Sequence, residues 1–190
     1  MSFNAKEISV CDGKKITVID NLFSFSEREK MNKFLLASLF RINGGDVSAN
    51  VSSYSNQIFS SYSEEDLNHL VIMETEGYKK LNGKFELSLR KVKQCRVNMS
   101  ASSESCDVHH DHKGLTLLYY ANLRWNLNWG GHTAFISEDL SDIEYVCAYK
   151  AGRVCVFDGT IPHMVVLPNH QAIGHRLSLA IQFGEIGNQT

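Results

Sequence analysis

The sequence predicts a mainly β, α+β domain in which N-terminal helices brace one face of an antiparallel sandwich or barrel. Three observations lead there. Two stretches within the first 82 residues carry apolar residues at helical spacing. From residue 83 the period shifts towards 2. The runs that follow are short, β-rich and separated by turn residues.

The elements follow in chain order. Ile16 to Ile19 reads as a short strand leading to Asn21. A helix is expected from Ser24 or Ser26 to about Phe40: each serine has a glutamate three residues on (Glu27, Glu29), the spacing of a capping box, and Met31, Phe34, Leu35 and Leu39 mark one apolar face. Asn43, Gly44 and Gly45 should stop it. A second helix is expected from about Glu64 to Leu81, capped by Ser63, with Leu67, Leu70, Val71, Tyr78 and Leu81 inward and Asn82-Gly83 ending it. Strands are then expected at Phe85 to Asn98, Leu115 to Tyr120, His132 to Ile136, Ile143 to Tyr149, Arg153 to Phe157, Met164 to Leu167 and His175 to Phe183. Leu115 to Tyr120 is apolar on both faces, as a central strand covered on both sides would be.

Composition bounds the class. A chain of 190 residues that is 43% hydrophobic fits one domain with one core; at that length roughly 70% of the unfolded surface is buried on folding. Lys+Arg 19 against Asp+Glu 21 gives a net charge of -2, which argues against a generic nucleic-acid binder. Met1 to Lys15 lacks a basic stretch followed by an apolar run, so no secretory signal is expected, and no apolar run is long enough to span a bilayer. Five cysteines without a C-x-x-C spacing suggest neither a disulfide framework nor a zinc knuckle, so a cytoplasmic setting is expected. Lys79, Lys80, Lys84, Arg90, Lys91 and Lys93 are interspersed among acidic and apolar neighbours and read as a solvated face.

The unusual count is eight histidines, since neutral imidazole is the commonest transition-metal ligand near pH 7. His109 and Asp111 form an H-x-D, and residues two apart on a strand point the same way, so an imidazole and a carboxylate can share one metal. Chance alone supplies roughly 0.4 such pairs in a chain of this composition, so the tripeptide is weak evidence by itself. Downstream, the turn Gly159-Thr160-Ile161-Pro162-His163 delivers a third candidate ligand. Two histidines and one carboxylate make the facial triad of non-haem Fe(II) oxygenases. Arg176 and Ser178 share a strand face, a guanidinium beside a hydroxyl, suited to gripping a carboxylate. His110 and His112 alternate away from the pair, and Asp158 reads as a turn residue ahead of Gly159.

The segment from His109 to Phe183 resembles the catalytic core of the Fe(II)/2-oxoglutarate dioxygenase superfamily, most of all its prolyl 4-hydroxylase-type branch. Three blocks carry the resemblance: HHDHKGLTLLYYANLRWNLNWGGHTAF (109–135), AGRVCVFDGTIPH (151–163) and GHRLSLAIQF (174–183), together with their order and spacing. The resemblance implies a double-stranded β-helix, or jelly-roll, with residues 1–82 as helical brace and 83–190 as catalytic core of a single domain. It implies iron ligation by His109, Asp111 and His163, and pairing of Arg176 with the distal carboxylate of 2-oxoglutarate, helped by Tyr120 and more weakly by Ser178.

The implied reaction is hydroxylation of an unactivated C–H with succinate and CO2 as coproducts, using Fe(II), 2-oxoglutarate, O2 and ascorbate as reductant. Retention of Asp111 favours hydroxylation over halogenation, because halogenating relatives carry a small residue there. The substrate implied is a prolyl residue in a peptide, or else an amino acid, natural product or sugar. Two departures bear on it. His132 stands where the family commonly places glutamate after the paired glycines Gly130-Gly131, and Gln94-Cys95-Arg96-Val97-Asn98 replaces a strand that often carries a tyrosine. Arg96, Asn98, His132 and Trp129 are the candidate substrate contacts, although Trp125 and Trp129 also suit the rim of a barrel. The loop Ser100 to Asp107 is the candidate lid. A nucleic-acid demethylase would add an arginine where Gln182 stands, and a cupin-like binding protein would not need Arg176 and Tyr120.

Overall fold

The computed structural model describes residues 4–11, 13–37, 41–43, 53–59, 70–100, 102 and 107–187, with backbone alone for 41–43 and 53–59. The chain begins with a hairpin of β1 (Asn4–Val10) and β2 (Lys14–Asp20), followed by α1 (Phe25–Leu36) and the strands β3 (Arg41–Asn43) and β4 (Ser53–Phe59). A 3-10 turn (Val71–Glu74) leads into α2 (Glu76–Phe85), and a second one (Leu87–Leu89) into β5 (Arg90–Ser100). The remaining strands are β6 (Leu115–Tyr120), β7 (Thr133–Ile136), β8 (Ile143–Cys147), β9 (Val154–Asp158), β10 (His163–Val165) and β11 (Arg176–Ile186), with a 3-10 turn (Leu127–Trp129) before β7.

Eight strands form one sheet in the order β1-β2-β9-β6-β11-β5-β4-β3, and β10-β7-β8 form a second. All the pairings are antiparallel. Alternation along each strand splits the core in two. Leu117 and Tyr119 of β6, Val154 and Val156 of β9, and Leu177, Leu179, Ile181 and Phe183 of β11 face the helices, where Met31, Leu35, Leu70 and Leu81 meet them. Leu118, Tyr120, Cys155 and Phe157 face the opposite way and pack with Phe135, Cys147 and Tyr149 between the sheets. The site is built on this inner face. β6 lies between β9 and β11, the covered central strand its sequence predicts.

The helices begin where capping chemistry allows and end elsewhere than expected. Ser24, not Ser26, caps α1: its hydroxyl accepts from Glu27 N, and Glu27 Oε2 accepts from Ser24 N at 2.7 Å. The other oxygen of Glu27 accepts from Glu76 N at 3.1 Å, tying the two helix starts together. α1 stops at Leu36, and Asn43 belongs to a strand. Of the expected helix Glu64 to Leu81, residues 64–69 lie outside the described residues. The rest is broken at Thr75, which is extended and accepts from Tyr78 N as the cap of α2. Gly77 permits this helix its position, since a Cβ there would stand 2.4 Å from the Phe23 ring. α2 runs through Gly83 and closes on Glu86 in the left-handed region, which delays β5 to Arg90. Residues 1–82 thus contribute strands β1 to β4 as well as helices. β2 contains the strand expected at Ile16 to Ile19, whereas β1 escapes the pattern because it is exposed along most of its length and draws its order from pairing with β2. No helix among the described residues is long and apolar enough to cross a membrane.

One ion-pair cluster ties the N-terminal hairpin to the jelly-roll. Arg153 Nε and Nη2 reach the two oxygens of Asp20 at 2.9 and 3.0 Å, Lys150 Nζ adds a bond of 3.0 Å, and Arg153 Nη1 donates to Ala148 O. Hydrogen bonding from Arg153, then Lys150, holds the Asp20 carboxyl below its ordinary value against the opposing effect of burial. A depressed folded-state pKa contributes stability that is present above the unfolded value, about 3.9, and lost as pH falls through the folded one. Urea denaturation from about pH 5 downwards is therefore expected to show a steeper acid loss of stability in the parent protein than in Asp20→Asn; equal slopes would refute the linkage.

Candidate active site

Two backbone hydrogen bonds assemble the centre. His109 N donates to His163 O and His163 N to His109 O, each at 3.0 Å, an isolated antiparallel bridge between the H-x-D segment and the start of β10. Asp111 N donates to Gly159 O at 2.8 Å. That approach requires glycine, because a Cβ on Gly159 would meet His112 O at 2.2 Å. Asp158 accepts from Thr160 N and Oγ1 and forms the turn expected of it. His110 Nδ1 donates to Thr160 O at 2.8 Å, securing the segment from the other side.

The three expected ligands converge. One donor atom from each of His109, Asp111 and His163 lies within 4.8 Å of the others. His109 is exposed and His163 buried, so the centre stands at the edge of the inter-sheet core with one side towards solvent. Nδ1 of His109 donates to Asp107 O and Nδ1 of His163 to Ile161 O, both at 2.9 Å. These bonds fix the tautomer whose lone pair is on Nε2. Burial lowers the His163 pKa and outweighs the raising effect of Asp111, so its 3.6 Å approach to the Asp111 carboxylate is that of a neutral imidazole. The Asp111 carboxylate is held on both oxygens: Thr116 Oγ1 donates to Oδ2 at 2.6 Å and Gln182 Nε2 to Oδ1 at 2.5 Å. Thr116 and Gln182 are register partners on β6 and β11, so the sheet itself aims the carboxylate. Two neutral imidazoles and an oriented carboxylate fit a divalent iron with open positions.

Arg176 opens the inner face of β11 and is 1% exposed. Nε donates to Gly131 O at 2.8 Å, Nη1 to Ser178 Oγ at 2.9 Å, and Nη2 is buried without a partner. A buried guanidinium with a vacant donor and no carboxylate beside it among the described residues is costly, and an anionic ligand supplies what it lacks. Gly130 and Gly131, at φ 75 and 79, turn the chain so that Gly131 O can receive this bond, and Trp125 covers them, its Nε1 donating to Gly130 O at 3.0 Å. The rings of Tyr120 and Tyr149 stack with centroids 4.3 Å apart and lie 5.4 and 5.3 Å from the guanidinium carbon. The Tyr120 hydroxyl, pushed well above its ordinary pKa by burial, donates to Thr133 Oγ1 at 2.8 Å, with Cys147 O at 3.2 Å.

The candidate substrate residues separate. Arg96 and Asn98 lie on the inner face of β5, in register with Ala180 and Ser178 of β11, and Arg96 Nε is buried without a partner among the described residues. Ala180 is partly exposed although β11 is central, which marks open space over it between Gln182 at the metal end and Ser178 at the Arg176 end. His132 accepts from Tyr149 N at Nδ1, 3.0 Å, and burial and then Arg176 lower its pKa, placing it at the Arg176 end. Trp129 lies on the 3-10 turn, edge-on to Trp125 at 5.2 Å, the rim arrangement. The expected lid, Ser100 to Asp107, falls largely outside the described residues. Thr116, Gln182, Thr133 and Tyr149 are polar site residues that the motifs do not name. Thr116 had a signal, as the one hydroxyl off the tyrosines in an apolar strand and four residues from Tyr120.

No family model and no curated relative matches the sequence. Solved structures do match. A Pseudomonas putida prolyl-4-hydroxylase shares 18% identity over 90% of this chain and 92% of its own, with a TM-score of 0.63. An oxidoreductase of the 2OG-Fe(II) oxygenase family from Burkholderia pseudomallei shares 13% over 89% and 84%, with a TM-score of 0.68. A prolyl hydroxylase from Trichoplax adhaerens, in complex with a peptide fragment of the hypoxia inducible factor oxygen degradation domain, shares 18% over 90% and 83%, with a TM-score of 0.60. The chain has the fold of the 2-oxoglutarate/Fe(II) oxygenases and prolyl hydroxylases, a jelly-roll with a His-Asp-His cluster on its inner face.

Proposed function

We propose that this protein is an Fe(II)- and 2-oxoglutarate-dependent dioxygenase that hydroxylates an unactivated C–H of its substrate, a prolyl residue in a peptide. One observation carries the reading: a buried Arg176 with a vacant donor on the same sheet face as a His-Asp-His cluster. A protein that merely holds a metal has no use for the first. The prolyl assignment is supported by the likeness to two prolyl hydroxylases, one bound to a peptide.

Iron with 2-oxoglutarate and O2 supplies the oxidising chemistry, releasing succinate and CO2 as the C–H becomes C–OH. The chain supplies geometry. His109 and His163 offer Nε2, each imidazole oriented by a carbonyl bond, and Asp111 offers a carboxylate fixed by Thr116 and Gln182. Arg176 Nη2 would hold the distal carboxylate, with Ser178 steadying the guanidinium and Tyr120 contributing its ring and hydroxyl. Trp125 and Tyr149 wall this end against water, which would strengthen an ion pair formed there. Arg96 and Asn98 form the polar wall facing the substrate, and Trp129 and His132 complete its far side. Ascorbate fits as the reductant that keeps the iron divalent.

Aerobic incubation with Fe(II) and 2-oxoglutarate is expected to yield succinate, with iron required and Asp111→Ala inactive. Absence of succinate from the iron-loaded protein across a broad peptide set would sink the proposal. Arg176→Met should raise the KM for 2-oxoglutarate by on the order of 100-fold, because a charge-assisted hydrogen bond is lost in a buried site, while metal affinity stays near that of the parent. Gln182→Ala should do the reverse, weakening metal affinity by roughly 10–100-fold in a chelator competition with a smaller change in KM for 2-oxoglutarate.

A further inference from the structure

The inward row of β11 does not end at Gln182. The next inward position is Gly184, and there the sheet opens into a groove of about 720 Å3 whose walls carry Lys91, Lys93, Lys113, His112, Glu185 and Leu89. A β-bulge creates it. Gln94 pairs with Gln182 and Val92 with Phe183, so Lys93 is the extra residue on β5. Val92 keeps its place in the helix-side core, and Lys93 is re-aimed across Gly184. A Cβ on Gly184 would come within 3.0 Å of Lys93 Cε, so the glycine makes room for the stem of that lysine.

The groove adjoins the metal centre through covalent connection and packing. His112 and Lys113 directly follow the ligand Asp111. Gly114 is pressed on the end of β11, where a Cβ would meet Phe183 O at 2.1 Å. One wall is therefore the ligand-bearing segment itself.

Its charge is one-sided. Lys91, Lys93 and Lys113 are exposed, and none of them has an acidic partner within ion-pair distance among the described residues. Arg90 Nη1 adds a cation beside them, donating to Gly184 O at 3.2 Å. Glu185 is the single carboxylate of the wall among the described residues. Among the described residues no Phe, Tyr or Trp ring lines the groove for bases to stack on, and the chain's net charge of -2 offers no extended phosphate-tracking surface. Leu89, 52% exposed, offers an apolar contact of the kind a side chain uses. The volume lies in the range of pre-formed ligand sites, roughly 300–1,000 Å3.

We infer that this groove docks an acidic stretch of a polypeptide substrate, next in sequence to the residue presented to the metal. The inference rests on the oxygenase reading and narrows it from peptides in general to acidic ones.

Binding and turnover separate the two ideas. Fluorescence anisotropy on the full chain without added iron would use a labelled ten-residue peptide alternating Glu and Gly, a Lys-Gly counterpart, and a single-stranded oligonucleotide of matched charge. The acidic peptide is expected to bind, more weakly as salt rises. The triple variant Lys91→Glu/Lys93→Glu/Lys113→Glu, its fold checked by circular dichroism, should bind it roughly tenfold or more weakly and gain affinity for the lysine peptide. No binding of the acidic peptide, binding untouched by the triple variant, or tighter binding of the oligonucleotide would each overturn the inference. Succinate formation without acidic-peptide binding rejects the groove alone; binding without succinate rejects the oxygenase reading and keeps the groove as an acidic docking surface.

Discussion

The reciprocal backbone bonds between His109 and His163 are the constraint on which the site depends. They join two segments 54 positions apart in the chain, and every other contact of the centre is built outward from that join. Once the bridge is made, Asp111 N reaches Gly159 O, and the Asp111 side chain is carried over the register pair Thr116 and Gln182. Backbone bonds suit this role because their geometry does not depend on a rotamer, so ligand spacing is set by the sheet. The imidazoles then need only their carbonyl bonds to choose a tautomer.

β11 organises the remainder. Its outward residues Leu177, Leu179, Ile181 and Phe183 anchor it in the helix-side core, and the inward positions are released for function. Ser178 accepts from the Arg176 guanidinium, partly exposed Ala180 leaves open space, Gln182 holds the Asp111 carboxylate, and Gly184 floors the lysine groove. Strand alternation keeps these roles on one face, and neighbouring β5 and β6 add Arg96, Asn98, Thr116 and Tyr120 to the same surface. The buried Arg176 is the energetically exposed point of the design, because its vacant donor in the core is offset only when an anion arrives.

Much of this was legible in the residues. The capping box at Ser24 and Glu27 marked the start of α1, and the apolar run Leu115 to Tyr120 marked the central strand, since both signals are local. His109, Asp111, His163 and Arg176 were legible because their spacing and residue types are tied to one chemistry. The second helix departs from its pattern within the described residues: Thr75 breaks it and Glu86, not Gly83, closes it, choices made by the packing of Gly77 on Phe23 and by a left-handed cap. The edge strands left no pattern, as β1 exposes most of its side chains and is ordered by a neighbour.

The same division runs through function. The sequence by itself marked the His-Asp-His cluster, the arginine and the mainly β class, because residue identity and period are properties of short segments. Only the tertiary structure decided that Gln182, noticed in the sequence for not being arginine, braces the Asp111 carboxylate, and that Thr116 shares the task. Only it gathered Lys91, Lys93 and Lys113, residues that read as solvated charges, on one side of a groove beside the metal ligands. The physical reason is that a side chain's meaning at a site depends on register and bulges between strands distant in sequence. A single extra residue in β5 re-aims Lys93 without altering any local pattern.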